Sequence, residues 1–513
     1  MCSNHDNEFT FSTHHEEHIR DYKLQRMLKQ KIAESETDKA LLKNVFLCCD
    51  RVGRIDQFSD TIFTLSNGTQ AIYSGVLYCH NPWICPVCSA NVMSKWATNI
   101  NCAIQALKKV NQIPIMITFT IPHVKWFTCR DSMEILINTM TELTYRGKSL
   151  QKTKRIKKNG EVQMDHRRSS WRLFCIQNEV QHFIRIMEHT WNYTNGWHPH
   201  FHELVWINKD NLQTCDKYEH ALQLEWLRLA KKHALAVIAK NHTHLTEKKL
   251  KWQLRHIECY YDNCIEGLKQ HQQDPSIKCN GEGIHISRDK NNKIMAMDSG
   301  YYICGWGADN ELTQQRRKQA HKNLFSHEYN SYTPYEMLEL AKKYIDLNDH
   351  TSANNWLNLF MEYARSTRKP KRQKIVISRS GLKKIIEDFK QTEEYATILK
   401  KKYTGDNKSE IQMWYPVFWF SKKQWSSISM LELNYRISIK AQILQLAVQE
   451  NNSWTELKNL INQYDTKLAE DIFNNFVRFH NDDYYRKYIF LSLQNRIRLF
   501  TAPLKILYEN QAA

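Results

Sequence analysis

The spacing of hydrophobic residues changes several times along the 513-residue chain, and each spacing predicts a different secondary structure. Apolar residues three or four positions apart, as in Leu24, Leu28 and Ile32, form one face of a helix, whereas alternation or a short apolar run indicates a strand. Helices are predicted over residues 8–45, 96–110, 131–146, 220–240, 245–270, 299–306, 335–366 and 430–510. Strands are predicted over residues 61–65, 113–122, 181–189, 196–206 and 283–287. Strands and helices in this arrangement predict an α+β fold.

Three histidines stand at every second position of the strand predicted over 196–206, namely His198, His200 and His202. Alternate side chains of a strand project from the same face, about 7 Å apart along the backbone. His200 and His202 are therefore predicted to bind one metal ion together. His198 projects from the same face and is predicted to orient or fill the site.

The strand predicted over 181–189 leads through a loop at 192–196 into the histidine strand, which predicts an antiparallel hairpin. Glu188 lies 12 positions before His200, and across a hairpin this separation brings its carboxylate beside the histidines. Two neutral imidazoles and one carboxylate suit Mg²⁺ or Mn²⁺, with water or phosphate in the open positions. Glu188 is accordingly the predicted third ligand.

Three cysteines have the spacing of metal ligands. Cys85 and Cys88 form a Cys-x2-Cys pair, and Cys79 lies six residues before Cys85. Thiolates at this spacing suit tetrahedral Zn²⁺. A structural zinc would stabilise a small region that lacks a large core of its own. Most of the other cysteines among the 14 in the chain are expected to be reduced packing residues.

Basic residues exceed acidic ones, 72 against 54, and give a formal net charge of +18. Such a balance favours a polyanionic partner, with nucleic acid as the first choice. Two clusters are predicted to contact DNA, one in a loop over 150–170 and one after the helices at 335–366. The clusters comprise Lys154, Arg155, Lys157 and Lys158 in the first and Lys369, Lys371 and Arg372 in the second.

Hydrophobic residues make up 42% of the chain, which is enough to fill cores. No run of 18 apolar residues is present, and the first residues lack an apolar signal core. The sequence therefore predicts a soluble, cytoplasmic protein without a membrane partner.

Several segments resemble, in the same order, the motifs of rolling-circle plasmid replication initiators, the Rep branch of the bacterial HUH endonucleases. The resemblance runs from about residue 45 to 385. The segments are Cys79–Cys88, the apolar strand Ile115–His123, the histidine strand Gly196–Trp206, the tyrosine segment Tyr302–Thr313, and the later Tyr332–Leu338 and Ser378–Leu382.

The resemblance implies an HUH nuclease core, which is a central antiparallel sheet flanked by helices, with an N-terminal zinc-binding subdomain and a C-terminal helical region. The predicted boundaries are 1–45 for a charged helical extension, 46–105 for the zinc-binding subdomain, 106–325 for the nuclease domain, 326–385 for a helical family-specific segment and 386–513 for a helical accessory domain. The aromatic run Trp414–Phe420 in the last domain is predicted to be core.

The resemblance also implies a reaction. Members nick and rejoin one strand of origin DNA through a 5′-phosphotyrosine and so initiate rolling-circle replication. Tyr302, four residues before Trp306, has the spacing of the nucleophile, and Tyr301 is the alternative. Gly305 occupies the place of a lysine usual in the family, for which Arg316, Arg317 or Lys318 could substitute.

By the same resemblance the fourth zinc ligand is Cys49, with Cys48 and His80 as alternatives. Origin DNA, single-stranded at the nick, is the implied partner, together with host helicase and polymerase. Two other functions stay open: a non-catalytic origin-binding or regulatory protein, and a transposase or relaxase of the same superfamily.

Overall fold

The computed structural model describes residues 11–51, 61–68, 70–145, 153–156, 162–165, 169–274, 283–288, 293–294, 331–368, 375–378, 381–395, 415–449 and 454–489. These residues belong to two compact units. One unit draws on Met1–Val92, Lys342–Ala353 and Ala396–Ala513, and the other on Met93–Ala341 and Asn354–Tyr395.

Helices and antiparallel strands are both abundant, which confirms the α+β class. The helices are α1 (Phe11–Ala33), α2 (Glu36–Leu41), α3 (Lys43–Phe46), α4 (Pro86–Lys108), α5 (Cys129–Tyr145), α6 (Ser170–Gln177), α7 (Asp216–Asn241), α8 (Glu247–Gln273), α9 (Pro334–Asp346), α10 (His350–Thr367), α11 (Leu382–Lys390), α12 (Lys422–Tyr435), α13 (Ile439–Leu446), α14 (Trp454–Asn462) and α15 (Thr466–Asn481). The strands are β1 (Thr61–Ser66), β2 (Ala71–Ser74), β3 (Gln112–Thr120), β4 (Thr153–Ile156), β5 (Val162–Asp165), β6 (His182–Asn192), β7 (Gly196–Asn208), β8 (Ile284–Ile286), β9 (Ile375–Ile377) and β10 (Tyr415–Ser421).

The first unit is built on a three-stranded antiparallel sheet in the order β10-β1-β2. β1 pairs with β10 from Thr61 opposite Ser421 to Ser66 opposite Tyr415. Phe418 and Phe420 of β10 are fully buried, so the aromatic run contributes to the core as predicted.

This pairing involves the C-terminal part of the chain, for which the boundary at residue 386 stays a prediction. Within the described residues, β10 of this region completes a sheet with β1 and β2 near the N-terminus. A local hydrophobic pattern cannot identify a strand partner at the other end of the sequence.

A buried charge network adds to the same core. Lys440 of α13 is 1% exposed and its ammonium lies 2.7 Å from Asp50 and 3.0 Å from Glu432. Lys29 of α1 reaches Asp50 at 2.8 Å. Burial alone would raise the pKa of the Asp50 carboxyl, but Lys440 and Lys29 outweigh it and lower that pKa. The network therefore joins charged groups from both ends of the chain.

The second unit contains a five-stranded antiparallel sheet in the order β8-β3-β7-β6-β9, with the histidine strand β7 at its centre. Phe119 and Phe201 are buried on one face of this sheet, and the indole of Trp226 from α7 packs at 5.2 Å from Phe119. Strands β3, β6, β7 and β8 lie within two to three residues of the predicted ranges at most ends, because their apolar periods are long and uninterrupted.

Two predicted segments differ from the observed elements. α4 begins at Pro86, ten residues before the predicted start, because proline is well suited to the first helical position. The basic loop predicted over 150–170 contains the two-stranded hairpin β4–β5. The helix predicted over 299–306 lies outside the described residues. None of the described helices is both long and apolar enough to cross a membrane.

Candidate metal centres

The hairpin β6–β7 aligns a carboxylate with the histidines. Its turn ends at Gly196, where φ is +76° and an added Cβ would lie 3.0 Å from the carbonyl oxygen of Lys125, so glycine suits this close approach. The register that follows places Glu188 of β6 directly opposite His200 of β7. Because side chains on one face recur every second residue, Glu188, His200 and His202 project from the same face.

The ligand atoms of these three side chains converge within 4.8 Å of one another. An Oε atom of Glu188 lies 3.1 Å from His200 Nε2 and 3.5 Å from His202 Nε2. The three residues are 2%, 4% and 5% exposed respectively. The structure thus brings together the three predicted ligands of the divalent ion.

The electrostatics of this Glu-His-His cluster favour a bound cation. Burial alone would raise the pKa of the Glu188 carboxyl, but His202 and His200 outweigh it and hold that pKa well below its usual range. His202 Nε2 is buried and has no hydrogen-bond partner among the described residues. Buried polar atoms normally have a hydrogen-bond partner, so a bound cation would account for this nitrogen. One carboxylate oxygen and two imidazole nitrogens are ligands that suit a divalent cation such as Mg²⁺ or Mn²⁺.

Neighbouring groups orient both imidazoles. His200 Nδ1 lies 3.3 Å from the backbone carbonyl of His198, which only accepts, so Nδ1 can donate there and leave Nε2, which faces the Glu188 carboxylate at 3.1 Å, to bind a metal ion. His202 Nδ1 lies 2.9 Å from the hydroxyl of Thr118 on β3. A donor role for this Nδ1 likewise leaves Nε2 for the metal. Thr118 lies in the strand predicted over 113–122, but the sequence alone did not reveal this contact.

Removing the Thr118 hydroxyl tests this orienting contact. We expect Thr118→Val to weaken Mn²⁺ binding by about 10- to 100-fold, because His202 loses the partner that fixes its tautomer and ring angle. Isothermal titration with Mn²⁺ measures the change. Thr120→Val is the matched control, since the Thr120 hydroxyl bonds to the backbone of Gly283. Equal weakening in both variants would contradict the assignment.

His198 lies beside the Glu-His-His cluster rather than within it. Its ring stacks on His123 with centroids 4.5 Å apart and an interplanar angle of 16°, and it is tilted against His200 at 5.3 Å. Burial lowers the pKa of His123 to about 4, so this ring is neutral at pH 7. The stacked pair therefore forms one wall of the cluster.

Glu203 faces the other side of the sheet, as its odd position in β7 requires. Its carboxylate is fully buried and lies 2.7 Å from Arg185 Nε. The Arg185 guanidinium lies over the rings of Phe183 and Phe201. Glu203 is therefore half of a buried ion pair in the core.

Four cysteines form a second cluster, which we call the cysteine tetrad: Cys48, Cys79, Cys85 and Cys88. Cys88 Sγ lies 3.5 Å from the Sγ atoms of both Cys48 and Cys79, and Cys85 Sγ lies 3.7 Å from that of Cys48. Tetrahedral Zn²⁺ with Zn–S bonds of about 2.3 Å separates its sulfurs by about 3.8 Å. The tetrad is thus close to the geometry that zinc requires.

Cys48 takes the place predicted for Cys49. Cys49 has φ of +62°, and this left-handed turn directs its thiol to 3.9 Å from both Tyr22 Oη and Gln25 Nε2. The Sγ atoms of Cys49 and Cys48 are 3.6 Å apart, but Cys49 does not join the set of four. His80, the other alternative, is exposed and also lies outside the tetrad.

Donors around the tetrad favour thiolates. Gln25 Nε2 of α1 donates to Cys85 Sγ at 3.1 Å, and the backbone N–H of Cys79 donates to Cys48 Sγ at 3.3 Å. Burial raises the pKa of the Cys85 thiol well above its usual range, so a thiolate there needs a nearby cation. Gln25 was not among the predicted site residues, because it lies in the extension that the sequence assigned to a separate region.

Of the remaining predicted site residues, the structure describes two, which do not join either cluster. Lys154 and Arg155 lie in strand β4. Tyr302, Tyr301, Gly305 and the predicted DNA-contacting residues Lys157, Lys158, Lys369, Lys371 and Arg372 fall outside the described residues.

Comparison with known proteins finds a distant similarity. The chain is 26% identical over 169 residues to a protein of Streptomyces lividans named Protein rep, which covers 30% of this chain. The aligned part is 34% of that protein, so the chain matches about a third of its length. No protein-family profile matches the chain. No solved structure matches it significantly either.

Proposed function

We propose that this protein nicks and rejoins one strand of plasmid origin DNA and thereby initiates rolling-circle replication. The observation that carries the proposal is the convergence of Glu188, His200 and His202 on the central strands of an antiparallel sheet. The similarity to Protein rep supports a role in plasmid replication. The order of the motifs supports the tyrosine mechanism.

In the proposed reaction the Tyr302 oxygen attacks the scissile phosphorus, forming a phosphotyrosine while the bond to the 3′ oxygen breaks. The 3′-hydroxyl leaves, and the same bond exchange in reverse rejoins the strand. Glu188, His200 and His202 would hold Mg²⁺ or Mn²⁺, which would polarise the phosphate and offset the charge that develops on its oxygens. With the ion bound, Thr118 and the His198 carbonyl would accept from the Nδ1 atoms and leave both Nε2 atoms for the metal.

The proposal extends to the rest of the chain. The cysteine tetrad would hold a structural zinc. The two basic clusters, with Lys154, Arg155, Lys157 and Lys158 in the first and Lys369, Lys371 and Arg372 in the second, would contact DNA phosphates. Such contacts position the strand without reading its sequence. Host helicase and polymerase would act on the nicked product.

Nicking is tested with labelled single-stranded oligonucleotides that tile the replicon encoding the chain. With Mn²⁺ present, denaturing electrophoresis should show one oligonucleotide cut at one position and a slower band of protein-linked DNA. Omitting the divalent ion should remove both bands. Uncut oligonucleotides across the complete set would contradict the proposal.

Substitutions at the two adjacent tyrosines distinguish the proposed nucleophile from the alternative. Tyr302→Phe removes only the attacking oxygen, so we expect the protein-linked band to disappear while DNA binding persists. Tyr301→Phe is the matched control and should retain the band, because side chains of neighbouring residues on a helix diverge by about 100°. The opposite result would shift the assignment by one residue.

Gly305 favours a second candidate function. Where the family has a lysine near the phosphate, this chain has no cation at that position. A protein that binds the origin and regulates replication without cutting would tolerate this change. Sequence-specific origin binding with no cleavage in either metal would support this second function. A transposase or relaxase would use the same chemistry but would cut transposon-end or transfer-origin DNA instead of a replication origin.

A further inference from the structure

Helix α8 exposes a tryptophan on its outer face. Trp252 is 58% exposed, whereas the other tryptophans in the described part of the chain are buried or half-buried. One exposed aromatic residue is common on protein surfaces, so its surroundings decide whether it has a role.

A neighbouring ring holds this indole in place. His256, one turn further along α8, stacks on Trp252 with centroids 5.3 Å apart and an interplanar angle of 18°. Residues four positions apart on a helix are side by side, so the stack needs no distortion of the backbone. The indole is thus positioned before any ligand arrives.

Positive charge surrounds the indole. Lys248, Lys249 and Arg255 are exposed and have no acidic partner within 4.0 Å among the described residues. Each acidic residue of α8 is instead paired with a lysine. The pairs are Glu247–Lys251 at 2.7 Å, Glu258–Lys231 at 3.6 Å, Asp262–Lys231 at 2.8 Å and Glu266–Lys269 at 2.8 Å. The charge left over near Trp252 is therefore positive.

Helical spacing places these groups on one stripe. Lys248, Trp252 and Arg255 stand at positions i, i+4 and i+7, which share a helix face. The buried positions of α8 lie on the opposite side, among them Gln253 and Ile257. The stripe therefore faces solvent along its length.

The inner face fixes α8 to the end of β3. Tyr261 donates a hydrogen bond to the carbonyl of Pro122 at 2.7 Å, and Gln253 Oε1 lies 3.0 Å from His242 Nδ1. His123 follows Pro122 and stacks on His198 of the histidine strand. The outer stripe is therefore carried by a helix that is anchored beside the Glu-His-His cluster.

We propose that this stripe binds single-stranded DNA, with one base stacked on Trp252 and phosphates bound by Lys248 and Arg255. Aromatic rings set in a basic surface bind unpaired bases independently of sequence. A duplex hides its base faces and offers phosphates alone. The inference deepens the proposed function by adding a holding site for the unpaired strand next to the nicking site.

Fluorescence anisotropy with fluorescein-labelled oligo(dT) of 20 nucleotides, without added divalent ion, tests the inference. We expect Trp252→Ala to weaken binding by about 5- to 100-fold, as loss of one base stack does. The salt dependence should stay unchanged, because no phosphate contact is lost. Arg255→Gln should instead lower the slope of log affinity against log salt by about 0.7.

Matched variants control for surface changes in general. Tyr484→Ala removes another exposed aromatic ring, and Lys269→Gln removes another positive charge from α8. Both should bind within about twofold of wild type. Unchanged binding by Trp252→Ala, or the same fold loss with a duplex of equal length, would overturn the inference and favour an acidic protein or a purely ionic contact.

The binding assay does not depend on nicking, so the proposed function and the strand-holding site can be refuted independently. A chain that binds oligo(dT) through Trp252 but never cuts DNA would refute the proposed function alone. A chain that cuts DNA but is insensitive to Trp252→Ala would refute the strand-holding site alone.

Discussion

His202→Ala is expected to lower the single-turnover rate of DNA nicking by about 10³-fold while changing affinity for single-stranded DNA by less than about threefold. A divalent ion offsets several kcal/mol of charge in the transition state, and each 1.4 kcal/mol is about tenfold in rate. In the proposed function, DNA binding depends instead on basic and aromatic groups elsewhere in the chain. Glu188→Gln should lose a similar factor, because a hard cation prefers a carboxylate to an amide. Quenched-flow nicking and anisotropy measure the two quantities.

A buried histidine outside the Glu-His-His cluster provides the control. His182 lies six residues before Glu188 on β6, about 20 Å along the strand, and is 5% exposed. His182→Ala creates a comparable defect in the same sheet and should nick within about threefold of wild type at a temperature where both variants are folded. If it loses as much rate as His202→Ala, the effect comes from damage to the sheet and the metal assignment is wrong.

Cys48→Ser is expected to abolish zinc binding and to unfold much of the first unit. Cys49→Ser should keep both the bound zinc and the folded unit. Free energies of zinc binding to such sites are about 10–16 kcal/mol, more than the stability of most domains. The two cysteines are adjacent and both fully or nearly fully buried, so they form a closely matched pair. Elemental analysis gives the zinc content, and thermal unfolding followed by circular dichroism gives the stability.

The contacts around the cysteine tetrad explain why loss of its zinc should destabilise other parts of the first unit. Gln25 of α1 donates to Cys85, and Lys29 of the same helix donates to the carbonyl of Cys48 at 2.5 Å. Trp425 of α12 donates to the carbonyl of Cys49 at 2.8 Å. Helices from both ends of the chain therefore rest on this segment. A zinc-free Cys48→Ser protein with wild-type stability would show that the tetrad is dispensable for the fold.

The sequence could predict that Glu188, His200 and His202 converge because the signals for this arrangement are local. Alternation on β7 determines the face of His200 and His202, and a short hairpin turn determines the position of Glu188 opposite them. Glu188 was predicted from its separation of 12 residues from His200 across the hairpin. Thr118 was missed as a contact, since pairing between β3 and β7 joins segments that are far apart in the sequence.

The features of the structure that the sequence did not predict have equally specific causes. The choice between Cys48 and Cys49 depends on one left-handed backbone angle at Cys49, which spacing does not reveal. The partner of β10 is a strand at the other end of the chain. The proposed role of Trp252 depends on which face of α8 is covered, and a tryptophan in a helical pattern is usually assigned to the core.

Mapping a covalent adduct tests the central claim most directly. Wild-type protein incubated with Mn²⁺ and the cleaved oligonucleotide would be digested with protease and nuclease and analysed by mass spectrometry. We predict a nucleotide attached through a phosphate to the peptide that contains Tyr301 and Tyr302, with fragmentation assigning it to Tyr302, and no such peptide from His202→Ala. Wild-type protein that cuts the oligonucleotide without any nucleotide-linked tyrosine would contradict the claim.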